Sequence, residues 1–293
     1  MTSILKLALW LSAVSPVWAE TRDLIIVAGQ SNAVGFDAYA SQLPEDERDK
    51  DVLFWWRVGD PPPDAHDVSS GGKWRSLQPQ PKGSPAITTT AEEKKNFPRQ
   101  YGNFAKSEGG FGPEFGLSRE LRVREGKSPA IVKVAFSGTS VAADWNPDDT
   151  GTAGACYRAL VNETKSAISE ATAEGIVLKL RAIVWVQGES DATAAFASQY
   201  EKNLGHMMDR LREDLGAKEV PAFIGVNVRF GNDKNPHMPV IVAAQRSLAE
   251  KQPHITYVDT SGAETLGPNH THFTAEGTLE IGKRFARALL SAP

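Results

Sequence analysis

Ser31 stands just past the apolar run Asp23-Leu24-Ile25-Ile26-Val27-Ala28, within Gly29-Gln30-Ser31-Asn32-Ala33-Val34-Gly35. A β-branched run that stops at a glycine and then offers a serine reads as a strand closing in a tight turn, with the hydroxyl at its lip. A serine so placed is a candidate nucleophile. It needs a base to take its proton and donors to hold the oxyanion that forms on attack. Candidate bases are His270 and His272, in Asn269-His270-Thr271-His272-Phe273-Thr274, directly before a C-terminal helical pattern. The segment Ser137-Gly138-Thr139-Ser140 follows a second apolar run, so the backbone N–H of Gly138 can point at the same place. Trp185-Val186-Gln187-Gly188-Glu189-Ser190-Asp191 follows a third. There Glu189 either orients a histidine or ties loops together by accepting backbone hydrogen bonds. The plainer alternatives are a Ser31 that caps the first helix and a Gly138 that merely permits a turn.

The elements that must position these residues are legible as five apolar runs, 24–28, 130–136, 178–186, 222–228 and 255–259. They lack period-2 alternation, as expected of parallel strands covered on both faces. Helical patterns at 157–174, 194–214, 240–250 and 274–290 fall between or after them, Thr274 being a plausible N-cap of the last. Strands alternating with helices predict an α/β fold, a three-layer αβα sandwich around a five-stranded parallel sheet. In such sheets ligands bind at the carboxyl ends of the strands, where each candidate sits. Residues 20–293 form one domain in this reading. Within it, 36–110 is a loop-rich insertion carrying Pro61-Pro62-Pro63 and the tryptophans Trp55, Trp56 and Trp74. Loops of that length usually carry function.

Four of these segments, in this order, resemble the conserved blocks of the SGNH hydrolases in their GQSN branch, the carbohydrate esterases related to sialate O-acetylesterases and acetylxylan esterases. The resemblance rests on Gly29-Gln30-Ser31-Asn32, on Phe136 to Ser140, on Trp185-Val186-Gln187-Gly188-Glu189-Ser190-Asp191 and on His272-Phe273-Thr274-x-x-Gly277. Gly112-Pro113-Glu114-Phe115-Gly116 matches a further family segment. The likeness implies a flavodoxin-like SGNH fold and a serine esterase that removes O-acetyl groups from a carbohydrate, without metal or cofactor. It implies Ser31 as nucleophile and His272, rather than His270, as base. It also implies an oxyanion hole from Ser31, Gly138 and the amide of Gln187. One departure stands out: the family places an aspartate three residues before the histidine, and this chain has Asn269. The acid is then absent, giving a Ser–His dyad, or comes from elsewhere, for example Glu189. Glu114, Trp55, Trp56 and Trp74 are candidate substrate contacts, the tryptophans by stacking on sugar rings; packing of a long loop on the core is the alternative for them. A lipid esterase or thioesterase of the same fold, and a catalytically impaired glycan-binding relative, are the rival functions.

The 293-residue composition narrows the field further. A net charge of −4 gives no reason to expect nucleic acid or anionic membranes as partners. One cysteine, Cys156, excludes an internal disulfide and a multi-cysteine zinc site, and reads as a small buried hydrophobe. Residues 1–19 read as a secretory signal: Lys6, a short apolar stretch and a small-x-small site at Val17-Trp18-Ala19. The expectation is a secreted or periplasmic protein without a membrane span.

Overall fold

The computed structural model describes residues 20–59, 67–80 and 109–292. The expected signal segment, the triple proline and residues 81–108 of the expected insertion lie outside them. The chain forms β1 (Glu20–Gly29), α1 (Ser31–Val34), β2 (Leu53–Gly59), β3 (Asp67–Ser69), β4 (Arg75–Ser76), α2 (Glu114–Glu125) and β5 (Ala130–Phe136). These are followed by α3 (Ala155–Ala173), β6 (Ile176–Val186), α4 (Tyr200–Asp214), β7 (Ala222–Gly225), α5 (Met238–Lys251), β8 (Ile255–Tyr257) and α6 (Ala275–Ser291).

One sheet runs β3-β2-β5-β1-β6-β7-β8, with β4 also pairing β2. Strands β2, β5, β1, β6, β7 and β8 are mutually parallel, while β3 and β4 run antiparallel to β2. The α/β class and the layered arrangement agree with the sequence. The strand count does not: β2 is a sixth parallel strand, drawn from the segment expected to be loop. Successive side chains on a strand face opposite sides, so Trp55 and Trp56 of β2 enter different cores.

Apolar positions on one face of the sheet pack under α3, α4 and α5. Those on the other face pack under α1, α2 and α6. Helices α2 and α6 make contact at two glycines. A Cβ on Gly116 would lie 2.0 Å from the Leu279 carbonyl oxygen, and one on Gly282 would lie 2.2 Å from that of Pro113. This close packing fixes the start of α6, where Thr274 accepts from Gly277 N at 3.0 Å as the expected N-cap. The residues just before that cap carry His272. Every sheet strand from β5 to β8 ends beneath the same edge, and the chemistry-bearing segments gather there.

Candidate active site

The serine turn is set by β1 and β6. Gly29 has φ 138°, and a Cβ there would sit 2.1 Å from the Val186 carbonyl oxygen, so only glycine lets the two strands end this close. Gln30 N then donates to Val186 O at 3.1 Å, and Ala33 N and Val34 N both return to Gln30 O. Ser31 is thus the first residue of a one-turn helix that Gly35 closes in the left-handed region. Gln30, not Ser31, occupies the cap position, and no side chain caps it. Among the described residues, no group accepts the backbone N–H of Ser31.

Asn32 links this turn to the histidine segment. Its Nδ2 donates to Glu189 Oε1 at 2.7 Å and to Thr271 O at 3.3 Å, and its Oδ1 accepts from Phe273 N at 3.1 Å. The backbone on both sides of His272 is therefore held by the neighbour of Ser31. The ring is held too. Its Nδ1 lies 2.7 Å from Asp37 Oδ2, and Phe36 packs against its face with centroids 4.6 Å apart. Phe36 N in turn donates to the Ser31 carbonyl at 3.1 Å. A carboxylate can only accept, so Nδ1 carries a proton, and the nitrogen left to act as a base is Nε2.

The carboxylate behind the ring is that of Asp37, neither Asn269 nor Glu189. Asn269 is exposed, and its carbonyl accepts from Gly231 N and Asn232 N. Glu189 is a buried tie: its Oε1 also accepts from Asn227 N at 3.1 Å, while Oε2 has no partner. Burial pushes its carboxyl above the usual range, and the Asn32 and Asn227 donors oppose the shift. Asn227, which the motifs did not single out, continues the clamp through Nδ2 to the carbonyls of His270 and Thr271 at 2.6 and 3.2 Å. His270 points elsewhere, its ring lying between Thr265 and Arg229.

The second donor candidate lies at the end of β5. Gly138 has φ 69° in an exposed turn, and no acceptor for its N–H occurs among the described residues. That turn is held from below. Thr139 Oγ1 donates to Phe136 O and accepts from Trp145 Nε1, both at 2.8 Å. Asp191 accepts from Val141 N, Ala142 N and the Gln187 amide at 2.9, 3.1 and 2.6 Å. The Gln187 amide also donates to Thr139 O at 3.0 Å. An amide group has two hydrogens, and both are committed to protein partners. Gln187, with no exposed surface, therefore braces the turn, and the expected donation to an oxyanion does not fit its geometry.

The expected substrate contacts are corrected as well. Trp55, Trp56 and Trp74 are 2%, 6% and 9% exposed, so they are core residues. Trp55 Nε1 donates to Glu163 and Trp74 Nε1 to the Ala167 carbonyl, on α3. Glu114 is fully buried against Lys133, at 3.0 Å. Lys133 Nζ also donates to Val34 O at 2.9 Å and Gln80 Oε1 at 2.8 Å, which pins the exit of the serine turn. Burial lowers its ammonium pKa, and Glu114 opposes the shift. Lys133→Met leaves the Glu114 charge buried without its cation. It should lower stability by about 3–5 kcal/mol in urea unfolding, and a loss under about 1 kcal/mol would show that the pair does not stabilise the fold.

Among the described residues, no cluster of three or more His, Cys, Asp or Glu side chains could hold a metal ion, and no helix is long and apolar enough to cross a membrane. Cys156 is buried, with its thiol pushed far up by desolvation.

The sequence profile of the family described as "Carbohydrate esterase, sialic acid-specific acetylesterase" matches residues 21–291. No curated protein sequence matches the chain. Among solved structures, a protein from Arabidopsis thaliana is 18% identical, with 92% of this chain and 98% of that one covered and a TM-score of 0.64. NanS is 18% identical over 93% and 97% of the two chains, with a TM-score of 0.59. A carbohydrate acetylesterase from Xanthomonas citri is 16% identical over 92% of this chain and 56% of that one, at 0.54. At these identities the likeness is one of fold.

Proposed function

Because the chain belongs to the carbohydrate esterase family of sialic acid-specific acetylesterases, we propose that it removes O-acetyl groups from a carbohydrate through a covalent acetyl-serine. Ser31 is the nucleophile. His272 takes its proton at Nε2, while Asp37 holds the Nδ1–H and stabilises the imidazolium that forms. As the Ser31 oxygen attacks the acetyl carbonyl, the backbone N–H groups of Ser31 and Gly138 receive the oxyanion. Collapse of that intermediate breaks the C–O bond to the sugar, and His272 returns the proton to the departing hydroxyl. A water, deprotonated by His272, then attacks the acetyl-serine; the C–O bond to Ser31 breaks, His272 returns the proton to the serine oxygen, and acetate leaves.

The observation that carries this reading is the Asp37–His272 pair at 2.7 Å on a backbone that Asn32 holds from both sides. It also removes the ground for a silent glycan-binding relative, which rested on Asn269. The segment 1–19, read as a secretory signal, places the reaction outside the cytoplasm in this proposal.

Chain-length preference tests the acyl group. Hydrolysis of p-nitrophenyl acetate should exceed that of the octanoate by at least about tenfold in kcat/KM, the scale on which a pocket discriminates methylenes. A preference for octanoate would favour a lipid esterase of the same fold. Acetate release from acetylated oligosaccharides then tests the leaving group.

A further inference from the structure

After β6 the chain makes one short 3₁₀ turn, Glu189–Asp191, and its three residues reach three different parts of the site. Ser190 N donates to Gln30 Oε1 at 3.2 Å, on the residue before Ser31. Glu189 Oε1 accepts from Asn32 Nδ2 at 2.7 Å, on the residue after Ser31. Asp191 accepts from Val141 N and Ala142 N, at 2.9 and 3.1 Å, in the turn that follows β5. One turn therefore holds both flanks of the serine and the loop that carries Gly138. The strand register brings the two together. Gly29 of β1 is level with Ala135 of β5 and with Val186 of β6. Neighbouring strands lie about 4.8 Å apart, so Ser31 and Gly138 leave adjacent strand ends, two and three residues past level positions.

Asp191 is fully buried, and the reaction gives it no proton to move and no substrate to touch. Its Oδ2 takes both Val141 N and the Gln187 amide, the latter at 2.6 Å, while Oδ1 takes Ala142 N. The same amide donates to Thr139 O at 3.0 Å, so the carboxylate also fixes the group that holds the residue after Gly138. Asp144 supports the turn from its own side, its Oδ2 accepting from Ser140 N at 2.8 Å. Burial pushes the Asp191 carboxyl above the usual range; the amide and the two backbone donors oppose the shift, and the charge of Asp144 adds to it. An N–H turned inward needs an acceptor, and Asp191 is the acceptor that draws residues 141 and 142 against β6. An oxyanion donor works only within about 2.7–3.1 Å of the developing charge, and a displacement of about 1 Å can cost roughly 10²-fold in rate.

We propose that Asp191 is a positioning residue of the oxyanion hole, its carboxylate setting the Gly138 N–H beside that of Ser31. The proposal rests on the esterase reading above. It makes the 189–191 turn the part that fixes the separation of the two donors.

The test compares wild type, Asp191→Asn and Asp191→Ala on p-nitrophenyl acetate, with phenylboronic acid as a second probe. Its boron takes the serine oxygen, the serine proton passes to His272, and the tetrahedral anion places an oxygen where the oxyanion forms. Transition-state mimics of this kind report donors that substrate binding does not. Asparagine keeps one acceptor oxygen and presents an NH₂ in place of the other, so kcat should fall by about 10- to 100-fold with KM within about threefold. Alanine keeps neither, and its loss should approach the roughly 10²- to 10³-fold of a removed oxyanion donor. The boronate inhibition constant should rise along with the loss of kcat in each variant that folds. A kcat for Asp191→Asn within threefold of wild type overturns the role. So does a fall in kcat at an unchanged boronate constant, because a merely structural residue lowers the active fraction and leaves the affinity of the remainder intact. A rise in KM equal to the rise in the boronate constant also overturns it, since substrate binding would then be what was lost. Wild type without acetate release overturns the esterase reading and this role together, whereas an active wild type with an unaffected Asp191→Asn overturns this role alone.

Discussion

Ser31→Ala should lower kcat on any acetyl ester by about 10⁴- to 10⁶-fold, the range seen when the nucleophile of a serine hydrolase is removed. On the scale of 1.36 kcal/mol per decade this is roughly 5–8 kcal/mol of transition-state stabilisation. The backbone bonds that shape the turn come from Gln30, Ala33, Val34, Gly35 and Phe36, so the alanine variant should keep its fold and thermal midpoint. His272→Ala should cost a similar factor. The double variant should be no worse than either single one, because the two groups act as a unit. Additive losses would mean that serine and histidine work in separate steps, and a Ser31→Ala rate near wild type would remove the nucleophile.

Asp37→Ala should reduce kcat by about 10³- to 10⁴-fold, with a much smaller change in KM. The reason lies in its position behind the ring at 2.7 Å: without it the imidazole loses both its tautomer and the charge that stabilises its protonated form. Asp37→Asn should be nearly as damaging, since an amide can present its N–H to Nδ1 and turn the proton onto Nε2. Asn269→Asp should stay within about twofold of wild type, because that side chain is exposed and its contacts run through its carbonyl. Glu189→Gln separates the two buried roles. If it costs more than Asp37→Ala, the acid behind the histidine is Glu189 acting through the Asn32 network.

The strand runs 24–28, 130–136 and 178–186 were legible because parallel strands buried on both faces must be largely apolar. Residues 24–28 and 182–186 are apolar throughout, Lys133 alone breaks 130–136, and the partly exposed start of β6 carries Lys179 and Arg181. β2 was hidden by its own residues. Arg57 breaks the apolar run of Leu53–Gly59, and two adjacent tryptophans look like surface aromatics until the pleat sends them to opposite cores. Lys133 carries a signal of its own: a lysine inside the buried run Ala130–Phe136 requires a buried acceptor, and Glu114 is one. The placement of Ser31, Gly138 and His272 beside strand or helix ends was readable from local spacing. Asp37 was not, because its meeting with His272 spans 235 positions and depends on the chain reversal at Gly35. The bracing role of Gln187 was equally out of reach. Which atoms the amide bonds is decided by Asp191, four residues along in the same motif, together with the Thr139 carbonyl in the turn after β5, and that second contact is not local in sequence.

The bond from Phe273 to Asn32 joins positions 241 residues apart. During synthesis the serine turn emerges long before the segment that activates it. At 5–20 residues per second, the interval is roughly 12–48 s. On the proposed mechanism the growing chain holds its nucleophile without a base throughout that time and cannot attack an ester, whatever its early strands have already formed. By the same mechanism a chain cut before residue 272 stays in that condition permanently, so a segment far downstream of the serine turn decides when the site can act.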